Sequence, residues 1–111
     1  MIRYTTPMLP LEVVGADLTQ NQDVYVTMVQ DSVKLTKTNN ELSITYDAEA
    51  DMSIISYSLT QKESAAFDLD GPVLVQVNFI NQAGKRDATS IAKIGMMRNL
   101  LDKEVNYGDQ T

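Results

Sequence analysis

The sequence predicts an all-β fold: two antiparallel sheets of about seven short strands packed face to face, with one short helix. Three observations predict it. Apolar and polar residues alternate with a period of two in one segment after another, the spacing that sends successive side chains to opposite faces of a strand. Clusters of Gly, Asn, Asp and Ser separate these segments at short, even intervals, and those are the residues that turn a chain. A helix-start signal followed by helix formers occurs once, over residues 60–67. A chain of 111 residues makes one domain, 1–111, and is expected to bury roughly 65% of its unfolded surface, enough for a core without disulfide or metal.

The elements follow in order. In the first strand Leu9, Leu11 and Val13 alternate with Met8, Pro10, Glu12 and Val14, and Gly15 ends the run. Pro7 and Pro10 cannot donate to a ladder, so this strand belongs at a sheet edge. "VYVTMVQ" (24–30) sets Val24, Val26 and Met28 against Tyr25, Thr27 and Val29. "VKLTKT" (33–38) sends Val33 and Leu35 inward and is expected to leave Lys34 and Lys37 in water. "TNNE" makes a turn in which Asn can take a positive φ. "LSITY" (42–46) aligns Leu42, Ile44 and Tyr46, and "MSIISYSL" (52–59) aligns Ile55, Tyr57 and Leu59. Thr60 with Glu63 three residues on is a capping box opening a short crossover helix. "VLVQVNFINQ" is the longest strand; Val73, Val75, Val77 and Phe79 share one face while Leu74 and Ile80 make the other partly apolar, which places it centrally. A type I turn over Gln82 and Ala83, followed by Gly84 at positive φ, closes a hairpin with a bulge. The return strand carries Ala88, Ser90 and Ala92 on one face and Thr89, Ile91 and Lys93 on the other, its small residues suggesting close approach to the opposite sheet. "RNLLDKEVNYGDQT" adds a helical turn or a strand, with "GDQT" frayed. Strands at this spacing point to an antiparallel sandwich of immunoglobulin type, with an eight-stranded closed barrel as the alternative.

Composition excludes several chemistries. Without histidine there is no His-dependent triad and no imidazole metal ligand; without cysteine there is no disulfide or thiolate site. Ser32 with Lys34 and Ser90 with Lys93 are ordinary strand-surface pairs rather than nucleophile and base. No phosphate-cradling glycine motif occurs. A net charge of −6, with only "GKR" joining two bases, argues against nucleic acid. No leader-like start and no long apolar run is seen, so the expectation is a soluble protein made in the cytoplasm, without membrane insertion, that reaches any later location through assembly. Two acidic clusters, Asp47, Glu49 and Asp51, and Asp68 and Asp70, lack the ligand spacing of a calcium loop and are read as solvated turns, leaving no metal and no cofactor. Tyr25, Tyr46 and Tyr57 fall at alternating strand positions, where packing is the default reading and a sugar-stacking platform the alternative. Met52, Met96 and Met97 read as core filler.

The stretches "LPLEVVGADLTQNQDVYVTMVQDSVKLTKT", "ISYSLTQKESAAF" and "VLVQVNFINQAGKRDATSIAKIGM" together resemble small immunoglobulin-like proteins of phage and prophage tail modules of Gram-positive bacteria. They are also similar to the N-terminal domain of baseplate upper proteins. The resemblance rests on Asp17, Leu18 and Thr19; on Leu59, Thr60, Gln61 and Glu63; and on Val75, Gln76, Val77 and Gly84, and spans residues 8–97. No Cys…Trp…Cys pattern is present and Leu74 stands where a tyrosine corner would, which disfavours an antibody-like lineage. The resemblance implies a non-enzymatic structural protein of the virion tail, with other tail or baseplate proteins, or further copies of itself, as partners. A glycan- or calcium-binding sandwich module is the alternative. Only Lys93 guards the last strand, and beyond it Ile94, Met96, Met97, Leu100 and Leu101 cluster, with Ile91 before them. This apolar run is expected either to fold back on the core or to serve as the docking surface.

Overall fold

The computed structural model describes residues 1–19, 23–80, 83–101 and 103–105. Among the described residues eight strands are present: β1 (Met8–Val14), β2 (Val24–Gln30), β3 (Val33–Thr38), β4 (Leu42–Asp47), β5 (Met52–Ser58), β6 (Val73–Ile80), β7 (Arg86–Ala88) and β8 (Ala92–Ile94). One α-helix, α1 (Gln61–Ala65), joins β5 to β6. The strands form two sheets, β1-β5-β4 and β3-β2-β6 with β7 and β8 both on the far side of β6, and every pairing between these strands is antiparallel. The sheets keep separate edges, so the arrangement is sandwich-like rather than a closed barrel. β1, with its prolines, is an edge strand and β6 a central one, as their sequences require.

The core lies between the sheets. Val24, Val26 and Met28 of β2, Val73, Val75 and Val77 of β6, and Ile55 and Tyr57 of β5 are all buried, with Leu18, Leu59 and Phe67 closing the ends. These are the alternate positions of each strand, so the period-two pattern converts directly into an apolar interior. Lys37 departs from the expectation. It lies opposite Val26 on the inward face of β3, with only 8% of its surface exposed. Strand parity decides this: Val33, Leu35 and Lys37 share a face, and the ammonium is accommodated by a carboxylate partner, Glu63, at 2.9 Å. The Asn turn also differs. Asn39–Glu41 is a right-handed 3-10 turn with no positive φ at either Asn, the Thr38 N–H donating to Glu41 Oε1 at 3.2 Å. At α1 the capping box forms as read, Thr60 Oγ1 accepting from Glu63 N at 3.1 Å and Thr60 N donating to Glu63 Oε1 at 2.9 Å.

The return strand is broken in two. β7 pairs with β6 so that Ala88 faces Asn78, but Ala92 of β8 faces Val75, one residue out of step. The extra residue is a β-bulge over 89–91. Thr89 holds it: its N–H donates to Val77 O at 2.9 Å, its hydroxyl accepts from Val77 N at 3.1 Å, and its carbonyl accepts from Gln76 Nε2 at 2.9 Å. The bulge reverses the faces, so Ala88 and Ala92 lie on opposite sides, contrary to simple alternation. Ala92 and Ile94 take the inward register, although Ala88, Ser90 and Ala92 are all exposed and approach nothing closely.

Gly84 adopts φ 76°, as the hairpin requires, while Gln82 lies outside the described residues. A Cβ at Gly84 would meet nothing within 4 Å, so any penalty is backbone strain alone. Gly84→Val is expected to lower stability by about 1–2 kcal/mol and Gly84→Asn by clearly less. Denaturant midpoints of the two variants check this; equal effects would remove φ as the cause.

Candidate interaction surface

Four buried polar side chains fasten the connecting segments, each by serving both a donor and an acceptor of a passing backbone. Ser53 accepts from Leu18 N at 2.9 Å and donates to Ala16 O at 2.7 Å, seating the Asp17-Leu18-Thr19 turn. Gln30 does the same for residues 68–71, and Ser64 for Thr5. Gln61 pairs its amide with Val105, Nε2 to Val105 O at 2.6 Å and Val105 N to Oε1 at 2.7 Å. A buried amide or hydroxyl is stable only when satisfied in this way.

The chain start is fastened to the far end of the sheet. Ile2 and Met97 form a parallel bridge, with Met97 N donating to Met1 O at 2.7 Å and Arg3 N to Met97 O at 3.2 Å. Arg3 Nε and Nη2 donate to Phe67 O and Ala65 O at 3.0 and 2.9 Å, covering carbonyls left open where α1 ends. Asn99 Nδ2 donates to Arg3 O at 2.9 Å. Residues 95–101 form neither helix nor extended strand, and residues 108–111 lie outside the described residues.

These bonds set where the six interface candidates lie. Ile94 and Met96 are half-buried and pack against the core. Met97, Leu100 and Leu101 are exposed at 60%, 93% and 53%, and Ile91, at the other end of β8, is exposed as well. Ile2, which the sequence did not single out, stands beside Met97 and is also exposed. The strap that brings it there joins residues far apart in the chain and leaves no local signal. Of the methionines, Met96 fills the core margin, Met52 is half-buried at an outward position of β5, and Met97 faces solvent.

The polar candidates separate likewise. Tyr25 points outward from β2, and Tyr46 turns its hydroxyl to Asp51 Oδ1 at 2.5 Å, where that bond and the neighbouring carboxylates push its pKa up. Asp47 Oδ1 accepts from Glu49 N and Ala50 N, and Asp68 Oδ1 from Asp70 N, so these acids cap their own turns. Among the described residues no three acidic side chains are placed to hold a metal ion, and no helix is long and apolar enough to cross a membrane.

Tyr57 is fully buried and its hydroxyl has no hydrogen-bond partner among the described residues. Burial pushes its pKa up from 10.0 to about 12. Tyr57→Phe keeps the ring and removes the orphan, and is expected to raise stability by about 1 kcal/mol at neutral pH. The native tyrosine, protonated in the fold, should lose stability as pH rises from 10.0 toward about 12, and the phenylalanine variant should lack that loss. Urea midpoints at pH 7 and pH 11 test both; a destabilised variant would mean the hydroxyl has a partner.

Compared with known proteins, the chain matches no family model and no curated protein sequence.

Proposed function

We propose that this chain is a non-enzymatic structural and interaction protein, a component of a phage or prophage tail or baseplate, that docks onto other tail proteins or further copies of itself. The observation that carries the reading is the apolar end of the sandwich. Met97, Leu100 and Leu101 are exposed on a segment pinned at Asn99 and Val105, with Ile2 alongside. Apolar side chains held out into water by a fastened backbone suit a protein contact better than a lone domain. Assembly into the virion tail would then set its location.

The immunoglobulin-like reading is part of the proposal. Strand order β1-β5-β4 against β3-β2-β6 and β7/β8 fits B-E-D against C′-C-F-G of that fold, with α1 in the E–F crossover. A start segment laid along the last strand fits the same pattern.

Sedimentation velocity over a range of concentrations tests the docking end. Self-association, or capture by neighbouring tail proteins, is expected, and Met97→Asp with Leu101→Asp should abolish it with an unchanged far-UV spectrum. A monomer under all conditions, together with unfolding of the double variant, would place the segment in the core and the contact elsewhere.

A further inference from the structure

The outer face of the larger sheet carries a second site, independent of the apolar end. By the pairing registers, its outward strand positions are Tyr25, Thr27 and Val29 on β2, Lys34, Thr36 and Thr38 on β3, Leu74 to Ile80 at alternate positions on β6, and Arg86, Ala88 and Lys93 on β7 and β8. None of these is a carboxylate and three are bases, in a chain of net charge −6. The outward positions of the smaller sheet show the reverse, with Glu12 and Asp47 and no base. Charge is therefore sorted between the two faces.

A groove of about 470 Å³ runs over the basic face, floored by Tyr25, Thr27, Thr36 and Asn78, with Arg86 and Lys34 among its walls and Asp23 at its margin. Arg86 is positioned by Asn78 Oδ1, which accepts from its Nε and Nη2 at 3.3 and 3.2 Å. Neither Arg86 nor Lys34 has a carboxylate partner among the described residues. The two bases stand on strands three steps apart, their Cα atoms roughly 20–25 Å from one another, with Tyr25 between them. That spacing suits an extended chain with several negative groups, not one small anion.

We infer that this groove binds an acidic oligosaccharide, with acidic groups at Arg86 and Lys34, a sugar ring on the exposed face of Tyr25, and hydroxyls on Thr27, Thr36 and Asn78. An aromatic face flanked by hydroxyl and amide groups is the chemistry that recognises sugar rings, and a planar guanidinium that recognises carboxylate or phosphate. An extended peptide is bound through a sheet edge or apolar pockets; this groove lies over the face of the sheet rather than along the β3 edge, and beside Tyr25 only Phe79 and Ile80 of its lining are apolar.

Titration of the isotopically labelled chain, followed by amide NMR shifts, tests the inference. The probes are a hyaluronan hexasaccharide, whose acid is a carboxylate, and a phosphomannan fragment, whose acid is a phosphate; the stronger of the two identifies the acid. Saturable shifts at residues 25–27, 34–36, 78 and 86 are expected. Arg86→Gln and Lys34→Gln should each weaken binding by about tenfold. Tyr25→Ala should weaken it several-fold, and Lys93→Gln, outside the groove, should not change it. All four variants should keep the far-UV spectrum and the association state of the parent. No saturable shift with either saccharide overturns the inference. So does equal binding of a neutral chitin hexasaccharide or of inorganic phosphate alone, or tighter binding of an oligo-glutamate peptide or a thymidine oligonucleotide.

Discussion

Lys37→Met is expected to cost about 2–3 kcal/mol at pH 7 and clearly less at pH 3. The lysine stem is buried on the inward face of β3, and its ammonium lies 3.0 and 2.9 Å from the two oxygens of Glu63, with Glu41 at 3.5 Å. Methionine replaces the stem and leaves the carboxylate without its cation. Burial by itself would raise the Glu63 pKa, but hydrogen bonds from Thr60 and Lys37 and the lysine charge outweigh it and hold the carboxyl below its ordinary 4.5. A depressed carboxyl contributes stability above the unfolded pKa and loses it as pH falls through the folded one, so the difference between the proteins should shrink in acid. The expected cost is set below that of breaking a fully buried pair because the Glu63 side chain keeps 23% of its surface in water. Urea unfolding at both pH values decides it. The same loss at each would mean that only the packing of the stem matters.

Gln30→Leu should be about as damaging, ~2–4 kcal/mol, although leucine is close in volume and the site is in the core. The Gln30 amide donates to Asp68 O at 3.0 Å and Gly71 O at 2.8 Å, and accepts from Asp68 N at 2.8 Å. Leucine would leave those three backbone groups unpaired at the edge of the interior, where water regains only some of them. Gln30→Glu should be worse still at neutral pH, because a carboxylate would face two carbonyl oxygens, and should recover partly in acid as it gains a proton. A glutamate variant as stable as the parent would show that residues 68–71 move away and that Gln30 fastens nothing.

How far the sequence revealed all this depended on whether the signal was local. The alternation in β2, β5 and β6, the capping box at Thr60 and the glycine at 84 each act within a few residues, and each element sits where its pattern placed it. Lys37 is buried against the expectation for a lysine because parity outweighs side-chain chemistry: a residue two positions after Leu35 belongs on the same face, and an acid at position 63 lies too far along the chain to advertise itself. The reversed face of β8 was hidden for a related reason. A bulge is an extra residue held by Thr89, and nothing in "DATSIAKI" distinguishes an inserted threonine from a paired one. The basic groove was invisible in the chain's net charge, since it arises from the register of four strands. Leu100 and Leu101 stood out in the sequence, but Ile2 joined them only through a strap that connects the two ends of the chain.

That strap has a consequence for how the protein comes to be folded. Arg3 and Asn99 are 96 positions apart, Arg3 and Phe67 are 64 apart, and Gln61 and Val105 are 44 apart. Contacts closing such long loops give a chain little reward until late, and they slow folding relative to a chain built from neighbours. During synthesis Ile2 therefore has no bridge partner until the ribosome has released the segment around Met97. Earlier still, before β7 and β8 emerge, the outer edge of β6 is bare. A nascent chain paused there would expose one unpaired edge of a long strand, Val73–Ile80, of high β-propensity. Its hazard is sticking to its siblings on the same message, and the arrival of β7 and β8 is what removes it.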